Sequence, residues 1–333
     1  MKKIDRESIT LGEWLDLWID TYERLNIKHS TLVSYDGYIN NHIKPAIGDV
    51  RLSDLSITLL QQFINQQYKY GNCKKNCDSL SAKSIRNIKT MLSTALKYAY
   101  AEYLIPKNYA DFLIVPKVIK EEMHVLTPHQ QKKLLAAVHL GDEKLGFGIY
   151  LLLATGMRVG ELCGLKWEDI DLNSNTLKIR RTLSRQKTLD PNSTKKTQLI
   201  ITAPKSIKSI RDIPLSYSMI YEIEKYKNNQ EYFLGKRSTE AEHPVMSLRL
   251  GYPVEPKTIQ SVFKRLLYLS GIQDIKLHAL RHTFATRAVE SGIDFKTLSS
   301  ILGHSSIQTT MDLYAHTLDD SKRIAMDTMN KFL

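Results

Sequence analysis

Leu11, Trp14, Leu15, Trp18 and Tyr22 recur at the spacing of one helical face, which predicts an amphipathic helix starting near residue 10. Leu32, Tyr35, Ile39 and Ile43 repeat the pattern, and this second helix is predicted to stop before Pro45 and Gly48. Leu60, Phe63 and Ile64 predict a third helix after Thr58. Ile85, Ile88, Leu92, Leu96 and Ala99 predict a fourth, ending before Pro106. Four helices with short connections form a small bundle over 10–104, behind an N-terminal tail of 1–9. Pro106, Pro116 and the charged run from Lys117 to Glu122 carry no periodicity, so 105–124 reads as a linker. Thr127 and Pro128 then open a new helix, Thr as N-cap and Pro in the first helical position.

A mixed domain over 125–318 follows. Apolar helices are predicted at about 128–139 and 143–154, and the signal is helical again from about 256. Between them Leu177, Ile179, Leu199, Ile200, Ile201 and Ile213 lie in short β-like runs parted by polar turns. Ala325, Met329 and Phe332 place an apolar stripe on a last helix at 319–333, too short to be stable undocked. The fold class is therefore mainly α with a small β-sheet: a helical bundle joined to a mixed α+β domain.

Composition narrows the function. The 333 residues are 42% hydrophobic and 25% charged, which excludes disorder and a disulfide scaffold. Cys73, Cys77 and Cys163 are an odd, sparse set, read as reduced thiols of a cytoplasmic protein. No apolar run approaches the roughly 20 residues of a membrane span, and MKKIDRESIT is not a secretory signal. Internal repeats, a Walker loop and a GxGxxG motif are absent from the sequence. The net charge of +12 points to an anionic partner, nucleic acid first. Nine of the cations lie between Arg180 and Arg211, against the single acid Asp190. That run, with Arg180, Arg181, Arg185 and Lys208, reads either as a solvated loop or as a β-hairpin lying along phosphates, where each contact releases a counterion. Lys83, Arg86, Lys89 and Lys97 similarly give the fourth helix cations that reach a groove or merely face solvent.

Three segments carry candidate chemistry. ATGMRVGEL sets Arg158 just past a Thr-Gly break at a helix start, where backbone amides and a forked guanidinium together favour an anion. In LHALRHTF, His278 and Arg281 share a helical face at i, i+3. His278 and His282 also have the spacing of a zinc-binding helix, but Ala279 stands where a zinc protease needs its glutamate, and no metal site is expected. LGHSS ends a helix at Gly303 and leaves His304 on a turn, and Tyr314 follows ten residues later.

Taken together, Arg158, His278, Arg281, His304 and Tyr314 stand in the order and approximate spacing of the tyrosine recombinases, the phage-integrase family. The chain resembles that family over nearly its whole length, through ATGMRVGELCGLKW, LHALRHTFAT, ILGHSS and the Tyr314 segment. The helical front part, with HIKPAIGDVRL, is similar to the family's SAM-like core-binding domain. Among members, integrases of phages and conjugative transposons look most alike.

The resemblance implies site-specific DNA recombination through a covalent 3′-phosphotyrosine intermediate and a 5′-hydroxyl leaving group, with no metal, ATP or other cofactor. It implies that Tyr314 is the nucleophile and that Arg158 and Arg281 clamp the scissile phosphate. His278 would assist proton transfer, and His304 would hydrogen-bond a phosphate oxygen. The family's β-turn lysine would be Lys205 or its rival Lys208, in PKSIKSIRDIP. The expected partners are duplex DNA with a specific core site and further copies of the chain, dimer to tetramer, the last helix docking on its own domain or on a neighbour. An arm-type DNA-binding module, common among integrases, is missing or has been removed, because the first bundle helix begins near residue 10. Two rivals stand beside this reading: a DNA-binding protein that lost catalysis, and a type IB topoisomerase acting as a monomer.

Overall fold

The computed structural model describes residues 8–72, 78–119, 123–140, 144–189, 193–203 and 209–314. The chain divides into two compact units, one running to residue 121 and including 189–192, the other comprising the rest.

The first unit is helical. Its α1 (Leu11–Trp18) starts with a reciprocal cap, in which Thr10 Oγ1 accepts from the Glu13 amide and the Glu13 carboxylate accepts from the Thr10 amide. A π-helical stretch, Ile19–Glu23, continues it. The second helix, α2 (His29–Tyr38), does not stop before Pro45: a π-helical stretch at Ile39–Ile43 leads into α3 (Lys44–Ile47). Pro45 is tolerated because it sits in the first turn of that new segment, where a backbone N–H has no helical partner to lose. Ser56 caps α4 (Ile57–Tyr70) and Ser81 caps α5 (Ala82–Ala101).

All four predicted stripes converge. Trp14, Trp18, Ile39, Ile43, Leu60, Ile64, Ile88 and Leu92 share one core, and the Trp14 indole donates to the Ala95 carbonyl at 3.1 Å. Ile105, Ala110 and Leu113 are buried in the same core. The early part of the stretch read as a linker is therefore packed structure, its buried side chains too irregularly spaced to show a period.

In the second unit Thr127 and Gln130 cap α6 (Pro128–Leu140) reciprocally, as the Thr-Pro pair predicts. Then come α7 (Gly146–Thr155) and the short α8 (Val159–Gly164). β1 (Ile170–Asp171), β2 (Thr176–Ile179) and β5 (Arg211–Pro214) form an antiparallel sheet that pairs Leu177 with Ile213 and Ile179 with Arg211. β3 (Thr182–Lys187) and β4 (Thr197–Thr202) pair separately as a hairpin, Thr182 opposite Thr202 and Lys187 opposite Thr197. Ser216 caps α9 (Tyr217–Leu234), and a small ladder of β6 (Ser247–Arg249) and β7 (Tyr252–Pro253) precedes α10 (Pro256–Leu269). The unit ends, as far as it is described, with α11 (Ala279–Glu290), α12 (Phe295–Leu302) and α13 (Ile307–Tyr314). Leu152, Leu162, Leu177, Ile213, Ile259 and Phe263 centre the main core. A smaller one joins Ala285, Val289, Leu298, Leu302 and Tyr314. No described helix is long and apolar enough to cross a membrane.

Candidate active site

Two chain reversals and a helix start build the site. Gly156, at φ +64°, ends α7 in the left-handed region, where a Cβ would lie 2.4 Å from the Phe284 ring; only glycine fits. The turn delivers Arg158 as the N-cap of α8. Gly303, at φ +65°, ends α12 in the same way and leaves His304 on the following turn. His278 is the N-cap of α11, so Arg281 lies in that helix's first turn, on a backbone packed by Ala279, Leu280 and Thr283.

Arg281 ties the reversals together. It is 3% exposed; Nη1 donates to the Gly156 carbonyl and Nη2 to the Leu302 carbonyl, both at 2.8 Å. Arg158 Nη2 reaches the Gly303 carbonyl at 3.4 Å, and its side chain remains 40% exposed. Burial, reinforced by the positive charge of Arg158, presses the Arg281 pKa down while Glu161 opposes, and a guanidinium stays cationic at neutral pH.

Glu161 is the residue that sequence reasoning missed. Its buried carboxylate accepts from Arg158 Nη1 at 2.8 Å, from the Arg158 amide at 2.9 Å, and from Arg211 Nη1 and Nη2 at 3.2 and 2.9 Å. Burial alone would raise its pKa, but the hydrogen bonds and charge of Arg211, then those of Arg158, outweigh it and leave the carboxyl below its ordinary value. The signal was the Arg-x-x-Glu spacing, which puts Glu161 at the N3 position of α8. Arg211, counted in sequence among the free cations of the basic run, is buried and committed to Glu161 and to the Ser209 and Ile301 carbonyls.

Tyr314 closes α13 at 1% exposure, packed against α11 and α12. Its Oη lies 2.7 Å from His282 Nδ1, a hydrogen bond to the neighbour of Arg281 rather than to His278, the expected proton acceptor. The His282 and His278 rings meet edge to face, with centroids 4.7 Å apart. A cationic pocket eases loss of a phenolic proton. Arg281 does act in that direction, but burial outweighs it and pushes the Tyr314 pKa up to about 12. His304 Nδ1 is 2.8 Å from Thr310 Oγ1, which orients the ring.

Burial first, then neighbouring positive charge, lowers the pKa of His278, and lowers His282 and His304 to about 4. All three are neutral at pH 7. Because these folded pKa values lie below the unfolded one, their contribution to stability is present above about pH 6.5 and is lost as pH falls towards 4. The thermal unfolding midpoint should therefore drop between pH 7 and 5, less steeply in His304→Asn. Equal slopes would contradict this assignment.

The DNA-binding expectations divide. Lys83 and Arg86 are exposed on α5 and Lys89 is half-buried, with no ion-pair partner among the described residues. Arg180, Arg181 and Arg185 are already engaged: Arg180 with Asp212 at 2.7 Å, Arg181 with Glu168 and Asp169 at 2.8 and 3.0 Å, and Arg185 Nε with Glu255 at 2.8 Å. Acids distant in sequence neutralise much of the basic run. Lys205, Lys208 and the last helix at 319–333 lie outside the described residues.

Comparison with known proteins agrees with this architecture. The Phage integrase family matches residues 124–321, and the phage integrase N-terminal SAM-like domain matches 10–67. The chain belongs to the phage integrase family, the tyrosine recombinases, and is a site-specific DNA recombinase. It is 29% identical to a XerC-like tyrosine recombinase of Caldanaerobacter subterraneus subsp. tengcongensis, over 98% of this chain and 84% of that one. The ICEBs1 integrase of Bacillus subtilis is 26% identical over 76% of this chain and 67% of its own length. Among solved structures, the Tn1549 transposon integrase in complex with transposon right end DNA superposes with TM-score 0.77 at 26% identity, covering 96% of this chain and 99% of that one. A lambda integrase dimer bound to a COC′ core site gives TM-score 0.62 at 25% identity, covering 90% and 97%.

Proposed function

We propose that this recombinase cuts and rejoins duplex DNA at a specific core site through Tyr314, working as a dimer to tetramer in the cytoplasm. The observation that carries the reading is Arg281. One buried guanidinium joins the Arg158 reversal to the His304 reversal, in the helix whose next residue contacts the Tyr314 hydroxyl.

Phosphodiesters resist attack because they are anionic, and attack adds charge to the equatorial oxygens. Arg158 and Arg281, held before substrate arrives, stabilise that charge more in the transition state than in the ground state. His304, neutral and oriented by Thr310, donates a further hydrogen bond to a phosphate oxygen. Tyr314 Oη bonds to phosphorus, the bond from phosphorus to the 5′ oxygen breaks, and Lys205 or Lys208 supplies that oxygen's proton. A 5′ hydroxyl from a second duplex reverses the step and exchanges strands. The adduct retains the bond energy, so the cycle needs neither ATP nor metal. Lys83, Arg86 and Lys89 would contact phosphates from the first unit, and the last helix would dock within or between subunits.

The test is covalent capture. The chain is incubated in EDTA with a pool of nicked duplexes of randomised sequence, adducts are recovered under denaturing conditions, and both the DNA and the modified peptide are sequenced. A nucleotide-bearing Tyr314 and a consensus core site are expected, followed by joining of two captured duplexes. No adduct, or one on another residue, would overturn the proposal.

A further inference from the structure

We propose that His282 is a catalytic residue: in its Nε2–H tautomer, its Nδ1 takes the phenolic proton of Tyr314 as Oη attacks phosphorus. This rests on Tyr314 being the nucleophile. The O–H bond of Tyr314 breaks as an N–H bond forms on His282. The Oη–phosphorus bond forms as the bond to the 5′ oxygen breaks, and that oxygen leaves with the electron pair and takes its proton from the lysine. In the reverse reaction His282 returns the proton to Oη.

Geometry selects this residue. The 2.7 Å contact already joins the two reacting atoms, in a side chain that α11, α12 and α13 hold almost fully buried. The chemistry demands an acceptor: with Tyr314 at about 12, only about one phenol in 10⁵ is ionised at pH 7. Arg281, the nearest cation in sequence, cannot accept a proton.

The groups acting on the His282 ring are His278 and Arg281 from its own helix and N-cap, with the Tyr314 ring from α13. Arg158 stands behind His278 and Arg281. Burial first, and then the charge of these groups, keeps His282 neutral and makes it a weak base in the free protein. A DNA phosphate entering beside Arg281 offsets the charge part of that effect and raises the proton affinity of His282, so the substrate strengthens the base that serves it.

The test uses the duplex captured by the wild-type chain, in single-turnover cleavage from pH 7 to 9. Failure of wild type to form any Tyr314 adduct would count against the function proposed above, not against this inference. With the adduct in hand, the wild-type rate should be nearly flat with pH. His282→Asn should be at least ~10²-fold slower at pH 7 and should recover about tenfold per pH unit, because phenolate must then form unaided. His278→Asn should keep the flat profile. A His282→Asn enzyme that is unchanged, faster, or slower with a flat profile overturns the proposal, as does transfer of the slope to His278→Asn. Histidine ¹⁵N spectra of the DNA-free wild-type chain, assigned with Tyr314→Phe, give a measurement that does not depend on the folding of His282→Asn. They should show an unprotonated, hydrogen-bonded His282 Nδ1, and a protonated Nδ1 there would also overturn it.

Discussion

Arg281→Ala should lower single-turnover cleavage by about 10³-fold or more while leaving DNA binding nearly intact. Binding energy is spread over many phosphate contacts along the duplex, whereas charge on the scissile phosphate develops at one point, next to this guanidinium. The residue also has a structural task, since its Nη1 and Nη2 satisfy the Gly156 and Leu302 carbonyls. Alanine strands both, at a cost of about 1–3 kcal/mol for each group left buried and unpaired. Arg281→Lys separates the two tasks. Lysine keeps the charge and loses the fork, so the fold and DNA affinity should survive while cleavage still falls by about 10²-fold. Mobility shift, adduct formation and urea unfolding on the same preparations decide the matter. A parallel loss of binding and cleavage would make Arg281 a structural or affinity residue.

Glu161→Ala should be the most destabilising single change at the site, by about 3–5 kcal/mol. Glu161 and Arg211 are 4% and 5% exposed at their side chains, and removing the carboxylate leaves a buried guanidinium uncompensated beside Arg158 and Arg281. Glu161→Gln retains the shape and loses the charge, so it should fall between alanine and wild type in urea. The pH dependence carries a sign. A carboxyl whose folded pKa is depressed contributes stability above its unfolded value, and that contribution is lost as pH falls through the folded one. The gap between wild type and Glu161→Gln should be full at pH 7 and close only below the ordinary carboxylate range. A constant gap at every pH would mean that packing, not charge, explains Glu161.

Much of this was legible from periodicity and local chemistry. The four front helices follow from apolar stripes, because burial on one face imposes a 3.6-residue period whatever the partner. Thr127, Pro128, Gly156 and Gly303 announced helix ends because caps and left-handed turns are local requirements. Where reading went astray, the deciding contact was distant in sequence or the period was too brief to see. The second helix runs into α3 past Pro45 because a π-helical stretch opens a fresh first turn there. Ile105, Ala110 and Leu113 looked like linker because the apolar residues around them, Tyr109 and Phe112 included, follow neither a helical nor a strand period. For Arg180 and Arg185 the sequence left solvent and phosphate both open, and it could not show that Asp212 and Glu255, 32 and 70 residues further on, pair with them.

The chain by itself determined which residue types could do the chemistry and in what order they come, since side-chain identity and helical period are properties of short segments. Only the folded molecule decided how they are charged and coupled: that Glu161 holds Arg158 and Arg211, that three histidines stay neutral, and that His282 rather than His278 meets the Tyr314 hydroxyl. Protonation and hydrogen-bond partners depend on which groups are brought within a few ångströms and cut off from water, and that proximity comes from packing between segments far apart along the backbone.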